Sequence, residues 1–177
     1  MDAEPKDVII LSAISKGAKK FDKIAKTTKI SVQELNEMLE RLEKRGFITI
    51  VEKKGFFGTK REIVLTEKGI REFEERKFEL QKNWEQMVTI WKSGDKQKLQ
   101  QYMDANRSLF PSMMFLGIMD IIMFSTMMSF MGMALSSYIP EAQIPADASA
   151  DADTSTGAGD GGADMGDGGG FDIDVGF

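Results

Sequence analysis

Over the first 69 residues, apolar and polar positions follow first a helical and then a strand-like period. The stretch PKDVIILSAIS (5–15) is typical of a short buried helix, since proline is tolerated in a first turn. A second helix is predicted over 20–27. Ser31 opens a third helix and forms a capping box with Glu34. Four apolar residues of this third helix recur at i, i+3, i+4 and i+7 and predict one buried stripe: Leu35, Met38, Leu39 and Leu42.

The pattern then changes to a period of two. Gly46 ends the third helix, and strands are predicted over 47–53 and 60–66, joined by a turn that contains Gly55 and Gly58. Three helices followed by a hairpin predict an α+β fold for residues 1–69.

This stretch resembles a known family. LEKRGFI (42–48) and LTEKG (65–69) are similar to the recognition helix and wing of MarR- and PadR-type winged-helix transcriptional regulators, over residues 5–75. The resemblance implies a winged helix-turn-helix fold and binding of double-stranded DNA. Some winged helices serve only as protein-docking modules, so fold alone does not decide the function.

A DNA-binding function would use the third helix (31–45) in the major groove and the basic wing (53–61) on phosphates. The candidate base-reading residues are Gln33, Asn36, Arg41 and Lys44. The candidate phosphate contacts are Lys53, Lys54, Lys60 and Arg61 in the wing, and Lys19, Lys20 and Lys23 around the second helix. Phe56 and Phe57 sit among the wing's basic residues and either contact a partner or fold back on the domain. Glu37 and Glu43 on the third helix argue against DNA, because carboxylates are repelled by phosphates; Glu40 pairs with Lys44 four residues on.

Residues 70–108 predict a long helix and a second one over 95–104. Six apolar residues of the long helix fall at heptad spacing, with Lys77 the polar exception: Ile70, Phe73, Leu80, Trp84, Met87 and Trp91. This spacing predicts a homodimer coiled coil. Packing against the next helix of the same chain is the alternative.

Residues 109–139 are apolar and hold eight of the chain's 13 methionines. The stretch 113–135 is long enough to span a bilayer and carries one charge, Asp120. Lysine and arginine precede it but do not follow it, which would keep the winged helix on the cytoplasmic side. Methionine also suits surfaces that accept varied apolar partners. A helical hairpin buried in a dimer core, broken near Gly117 or Gly132, is a third possibility. The candidate lipid- or client-contacting residues are Met114, Ile118, Ile122, Met127 and Met131.

Residues 140–177 are rich in Ala, Gly and Asp, which predicts a disordered acidic tail. Its last seven residues, FDIDVGF, alternate apolar and acidic positions and resemble the partner-binding tips of bacterial single-stranded DNA-binding proteins. They are expected to bind a protein partner or to fold back on the wing.

Charge is segregated along the chain. Residues 16–61 hold 13 Lys and Arg against 6 Asp and Glu, whereas residues 140–177 hold 9 Asp and Glu and no Lys or Arg. A basic front is typical of a surface that meets polyanions. The chain has no Cys and no His, and no phosphate-binding glycine loop, so neither an enzyme nor a cofactor or metal site is expected. The acidic N-terminus lacks a signal-peptide pattern and predicts a cytoplasmic location.

The sequence thus favours a dimeric winged-helix DNA-binding protein, in the manner of a transcriptional regulator. The alternative is a membrane-tethered or client-binding adaptor whose winged helix docks on protein.

Overall fold

The computed structural model describes residues 5–144 and shows a mostly helical chain with one β-hairpin. The elements are α1 Pro5–Ser15, α2 Phe21–Thr28, α3 Val32–Lys44, β1 Ile48–Gly55, β2 Gly58–Leu65, α4 Glu67–Lys92, α5 Lys96–Ala105, α6 Phe110–Phe115 and α7 Ile121–Met131. Short 3-10 turns lie at Arg107–Leu109, Leu135–Ser137 and Glu141–Gln143. Three helices followed by an antiparallel hairpin are compatible with the predicted winged-helix layout.

Helix α3 forms as its sequence predicts. Its apolar stripe is buried in a core shared with α1, α2 and the base of the hairpin. The Ser31 hydroxyl accepts the Glu34 N–H at 3.4 Å and so caps the helix. In a complete capping box, the Glu34 carboxylate would accept the Ser31 backbone N–H. Here that carboxylate forms an ion pair with Lys6 instead.

The hairpin runs two residues further toward its tip than the sequence predicted. Ile48 faces Leu65 at its base and Gly55 faces Gly58 at its end, so the turn consists of Phe56 and Phe57. A third segment joins at the other edge, where the Ile63 N–H donates to the Lys19 carbonyl at 2.8 Å.

The two motif pieces that carry the family resemblance contact each other. Thr66 caps α4 by accepting the Gly69 N–H at 3.0 Å, and its backbone N–H donates to the Phe47 carbonyl at 3.0 Å. The Lys68 ammonium donates to the Arg45 carbonyl at 2.8 Å and lies 5.1 Å from the centre of the Phe47 ring. These motifs therefore fix the start of α4 against the end of α3, which is a structural task.

The heptad residues of α4 pack within the chain. Leu80 and Met87 are buried in a core made with α5, α6 and α7, and Phe73, Trp84 and Trp91 pack against it. Trp84, for example, contacts Phe124 of α7 with ring centres 6.5 Å apart. Ile70 is 45% exposed. Five of the six stripe residues therefore pack within the chain, as the alternative predicted, and Ile70 alone of the six is largely exposed; the homodimer itself stays a prediction.

The methionine-rich segment is two short helices rather than one long one. Helix α6 ends before Gly117, whose φ of +70° breaks the helical path. Asp120 then caps α7 by accepting the N–H groups of Ile122 and Met123 at 2.9 and 3.1 Å. Over residues 5–144, no helix combines the length and apolarity needed to cross a bilayer. The predicted spanning helix over 113–135 is therefore not formed.

The predicted lipid- or client-contacting residues mostly belong to the interior. Met127 is fully buried, and Met114, Ile118 and Met131 are partly buried against the same core. Ile122 alone of the five is largely exposed, at 76%. The third possibility, a broken helical segment used as core, is the one that fits, although the core is built within one chain.

Helix α1 joins the two cores. Val8 and Ile9 enter the core of α4–α7, whereas Ile10, Leu11 and Ile14 enter that of α2, α3 and the hairpin. A helix that is apolar all round is expected to be buried on all sides, which explains the unbroken apolar run in PKDVIILSAIS. The predicted acidic tail beyond residue 144, with its FDIDVGF tip, lies outside the described residues.

Candidate nucleic-acid interface

The outer face of α3 carries three of the four predicted base-reading residues. Gln33, Asn36 and Lys44 are exposed on the side opposite the buried stripe. Glu37 and Glu40 share this face, and the Asn36 side-chain amide donates to the Glu40 carboxylate at 3.4 Å. The face is polar and mixed in charge, so it offers donors and acceptors without a strong attraction for phosphate.

Arg41, the fourth predicted base-reading residue, forms an ion pair within the chain. Its guanidinium lies 3.5 Å from the Asp7 carboxylate, and Arg45 lies 3.3 Å from the same carboxylate. The Asp7 side chain is 3% exposed, so its charge requires these partners. Arg41 thus links α3 to α1, a role that its spacing within α3 could not reveal.

Two of the four predicted wing cations form ion pairs on the hairpin itself. The antiparallel register places Arg61 opposite Glu52, with a 3.1 Å ion pair between them. Lys53 lies 3.0 Å from Glu62, and Lys19 lies 3.8 Å from the same carboxylate. The hydrogen bond from Lys53, helped by the charges of Lys19 and Lys20, lowers the pKa of Glu62.

The remaining predicted lysines are exposed. Lys54 and Lys60 flank the wing tip and form no ion pair among residues 5–144. Lys20 and Lys23 are exposed at the start of α2, where the Lys23 ammonium lies 3.4 Å from the Gly17 carbonyl. Together with Lys44, these are the predicted contact residues whose ammonium groups stay exposed and form no ion pair among residues 5–144.

A groove separates α3 from the hairpin. Its volume is about 300 Å³. Its floor is apolar, formed by Phe21, Leu39, Ile48, Ile50 and Ile63. Its rim carries both signs of charge: Lys19, Lys20, Arg61, Glu40 and Glu43. Sequence reasoning missed this groove because residues far apart in the chain line it.

The hairpin projects well beyond the core. All residues from Glu52 to Arg61 are exposed, so four residues of each strand extend past the packed base, about 13 Å at the usual rise per residue. At the end, Phe56 and Phe57 are 103% and 96% exposed. The alternative that these rings fold back on the domain is therefore wrong.

No protein-family model, curated protein or solved structure matches this chain.

Proposed function

We propose that residues 1–69 form a winged-helix domain that binds double-stranded DNA, in the manner of a transcriptional regulator. The observation that carries this proposal is that two ridges, the exposed face of α3 and the hairpin, lie side by side. The exposed polar face of α3 runs beside a basic hairpin that projects beyond the core, with a groove between them. A helix of this kind fits the major groove of a duplex, and cations on a flanking ridge fit its phosphates.

The cations proposed to contact phosphate are Lys20, Lys23, Lys44, Lys54 and Lys60, and the residues proposed to meet base edges are Gln33 and Asn36. Lys53, Arg61 and Lys19 contribute less, because nearby carboxylates already neutralise much of their charge. Glu37 and Glu40 weaken nonspecific attraction and make the interface depend on correctly placed hydrogen bonds.

The client-binding adaptor is less well supported. Such an adaptor needs exposed methionines, yet Met127 and Met128 are buried and their neighbours pack on the core of α4–α7. The methionine-rich segment needs no outside partner in the proposed DNA-binding protein, because it packs in the core of α4–α7.

The proposal is tested on the full chain with a mixed-sequence duplex of about 30 base pairs, three helical turns. Affinity is measured by fluorescence anisotropy for the wild type and for K54Q/K60Q. The double variant is expected to bind more weakly at low salt and to reduce the slope of log K against log salt by about 2, one unit for each lost phosphate contact.

The matched control is K77Q/K98Q, which removes two exposed lysines of α4 and α5. It changes net charge equally and is expected to leave the slope unaltered. Equal effects of the two double variants would show that the attraction is a property of overall charge, and would overturn the assignment of the wing to DNA.

A further inference from the structure

The tip of the hairpin presents two phenyl rings that nothing in the described part of the chain covers. Their ring centres are 6.4 Å apart and the ring planes are tilted by 58°, so the rings do not stack face to face. Leaving two Phe side chains in water forgoes the stabilisation that their burial provides. The rings are therefore free to stack on or insert into a partner.

The cations around the tip are arranged on both faces of the hairpin. Lys54 lies opposite Thr59, and Lys60 lies opposite Lys53, at successive positions of the register. Because side chains alternate between the faces of a strand pair, Lys54 and Lys60 project to opposite sides. A slender apolar tip with one free cation on each side matches a narrow groove that has phosphates on both walls.

We propose that Phe56 and Phe57 form an apolar wedge that enters the minor groove of duplex DNA and opens one base step. This inference rests on the proposed function: with α3 in the major groove, the hairpin beside it reaches over one phosphate strand to the next groove. The minor groove is about 6 Å wide, so only the turn can enter it. Apolar wedges of this kind partly unstack a base step and kink the duplex toward the major groove.

A flat bilayer fits these features less well than a duplex does. Two rings and two free lysines form a small membrane anchor, and stable anchoring requires a second signal. Further back along the hairpin, Glu52, Thr59 and Arg61 are polar and exposed. Behind the tip, α3 and the hairpin form two ridges with the groove between them. Two ridges fit a grooved surface such as a duplex better than a flat bilayer.

The test uses the full chain and a duplex of about 30 base pairs, three helical turns, labelled at its ends for energy transfer. Two duplexes are compared that differ in their central sequence, one with TA steps and one with an A-tract. Pyrimidine–purine steps kink easily, whereas A-tracts resist kinking. The wild type is expected to shorten the end-to-end distance, more for the TA centre. F56A/F57A is expected to bind about tenfold more weakly or worse and to leave the duplex straight.

Two further variants separate the wedge from the phosphate contacts. F56W/F57W keeps large aromatic rings and is expected to keep the bend. K54Q/K60Q is expected to bind more weakly but to bend the duplex once bound. Because both Phe residues are exposed, F56A/F57A is expected to unfold at the wild-type temperature, which a thermal melt checks.

Wild-type affinity and bending in F56A/F57A would overturn the wedge and leave the proposed function standing. Wild-type binding without any change in energy transfer would do the same. Loss of binding to phosphatidylglycerol-containing vesicles in F56A/F57A, with duplex binding intact, would assign the tip to lipid instead. A wild-type chain that fails to bind any duplex at low salt would overturn the proposed function together with the wedge.

Discussion

At position 69 there is no room for a side chain. A Cβ placed on Gly69 would lie 1.9 Å from the Phe47 carbonyl oxygen and 2.8 Å from its carbon, both backbone atoms that cannot rotate away. We expect Gly69→Ala to lower the free energy of unfolding by about 3 kcal/mol or more, because the start of α4 must move off the end of α3. Chemical denaturation measures this loss.

Arg71→Ala is the matched control, since Arg71 is exposed two residues further along the same helix. Its change is expected to stay within about 0.5 kcal/mol. A Gly69→Ala protein as stable as this control would contradict the close contact between α4 and Phe47.

Asp7 is a buried carboxylate held by Arg41 and Arg45. Asp7→Ala is expected to destabilise the protein by about 2–3 kcal/mol, less than for a fully buried pair because both arginines are partly exposed. Asp7→Asn keeps the shape of the side chain and is expected to lower the stability of the protein less than Asp7→Ala does. Thermal unfolding of both variants beside the exposed-site control Glu37→Ala checks this, and equal melting temperatures for all three would contradict it.

At this scale, the sequence predicts what is local. The buried stripe of α3 and the Ser31 cap follow from spacings of three and four residues, and both are confirmed. The partner of Arg41 lies 34 residues away, on a helix whose rotation a local pattern does not specify. The ion pair of Arg41 with Asp7 therefore could not be predicted from the pattern of α3.

Helix α7 provides a test of the core at the level of an element. Met127 is fully buried and Ile122 is 76% exposed, on the same helix. Met127→Ala is expected to cost about 2–5 kcal/mol, because it leaves a cavity in the core. Ile122→Ala is expected to change stability by about 0.5 kcal/mol or less. Denaturant titration compares the two, and equal small effects would show that α7 does not carry the core.

The turn after α7 is tied to α5 by Tyr138, whose hydroxyl donates to the Asp104 carboxylate at 2.7 Å. Burial and this hydrogen bond raise the pKa of Tyr138 to about 12. The ordinary value is about 10, so the neutral phenol stabilises the fold below pH 10 and this contribution is lost as pH rises toward 12.

Tyr138→Phe is therefore expected to be less stable at neutral pH and to lose less stability between about pH 10 and 12. Unfolding curves across this range measure it. The chain has two tyrosines, and burial also raises the pKa of Tyr102. Phenolate absorbance should thus develop later in the folded wild type than in guanidinium, and coincident titrations would contradict the burial of Tyr138.

At the level of elements, periodicity predicted the helices but not their partners. The heptad stripe of α4 has the same spacing whether it packs on a second copy or on the chain's own α5–α7, and here it packs on the latter. The apolar run 113–135 has the length of a membrane span, but Gly117 and the capping Asp120 divide it. Asp120, the one charge in this apolar run, is the N-cap of α7.

In the whole molecule, two hydrophobic cores share helix α1, which contributes residues to both. One contains α2, α3 and the hairpin, and presents the proposed DNA-binding surface; the other contains α4–α7 and absorbs the methionines. Because charge is segregated along the sequence, a chain with a net charge of −5 still presents exposed lysines on one projecting hairpin. We propose that this hairpin and the exposed face of α3 meet a duplex.

The salt dependence of duplex binding by the full chain tests this contact. With five lysines proposed to contact phosphate, log K is expected to fall linearly with log salt between about 50 and 200 mM salt, with a slope of about −4 to −5. Absence of saturable binding at about 50 mM salt, or a slope close to zero, would show that this surface does not bind a duplex.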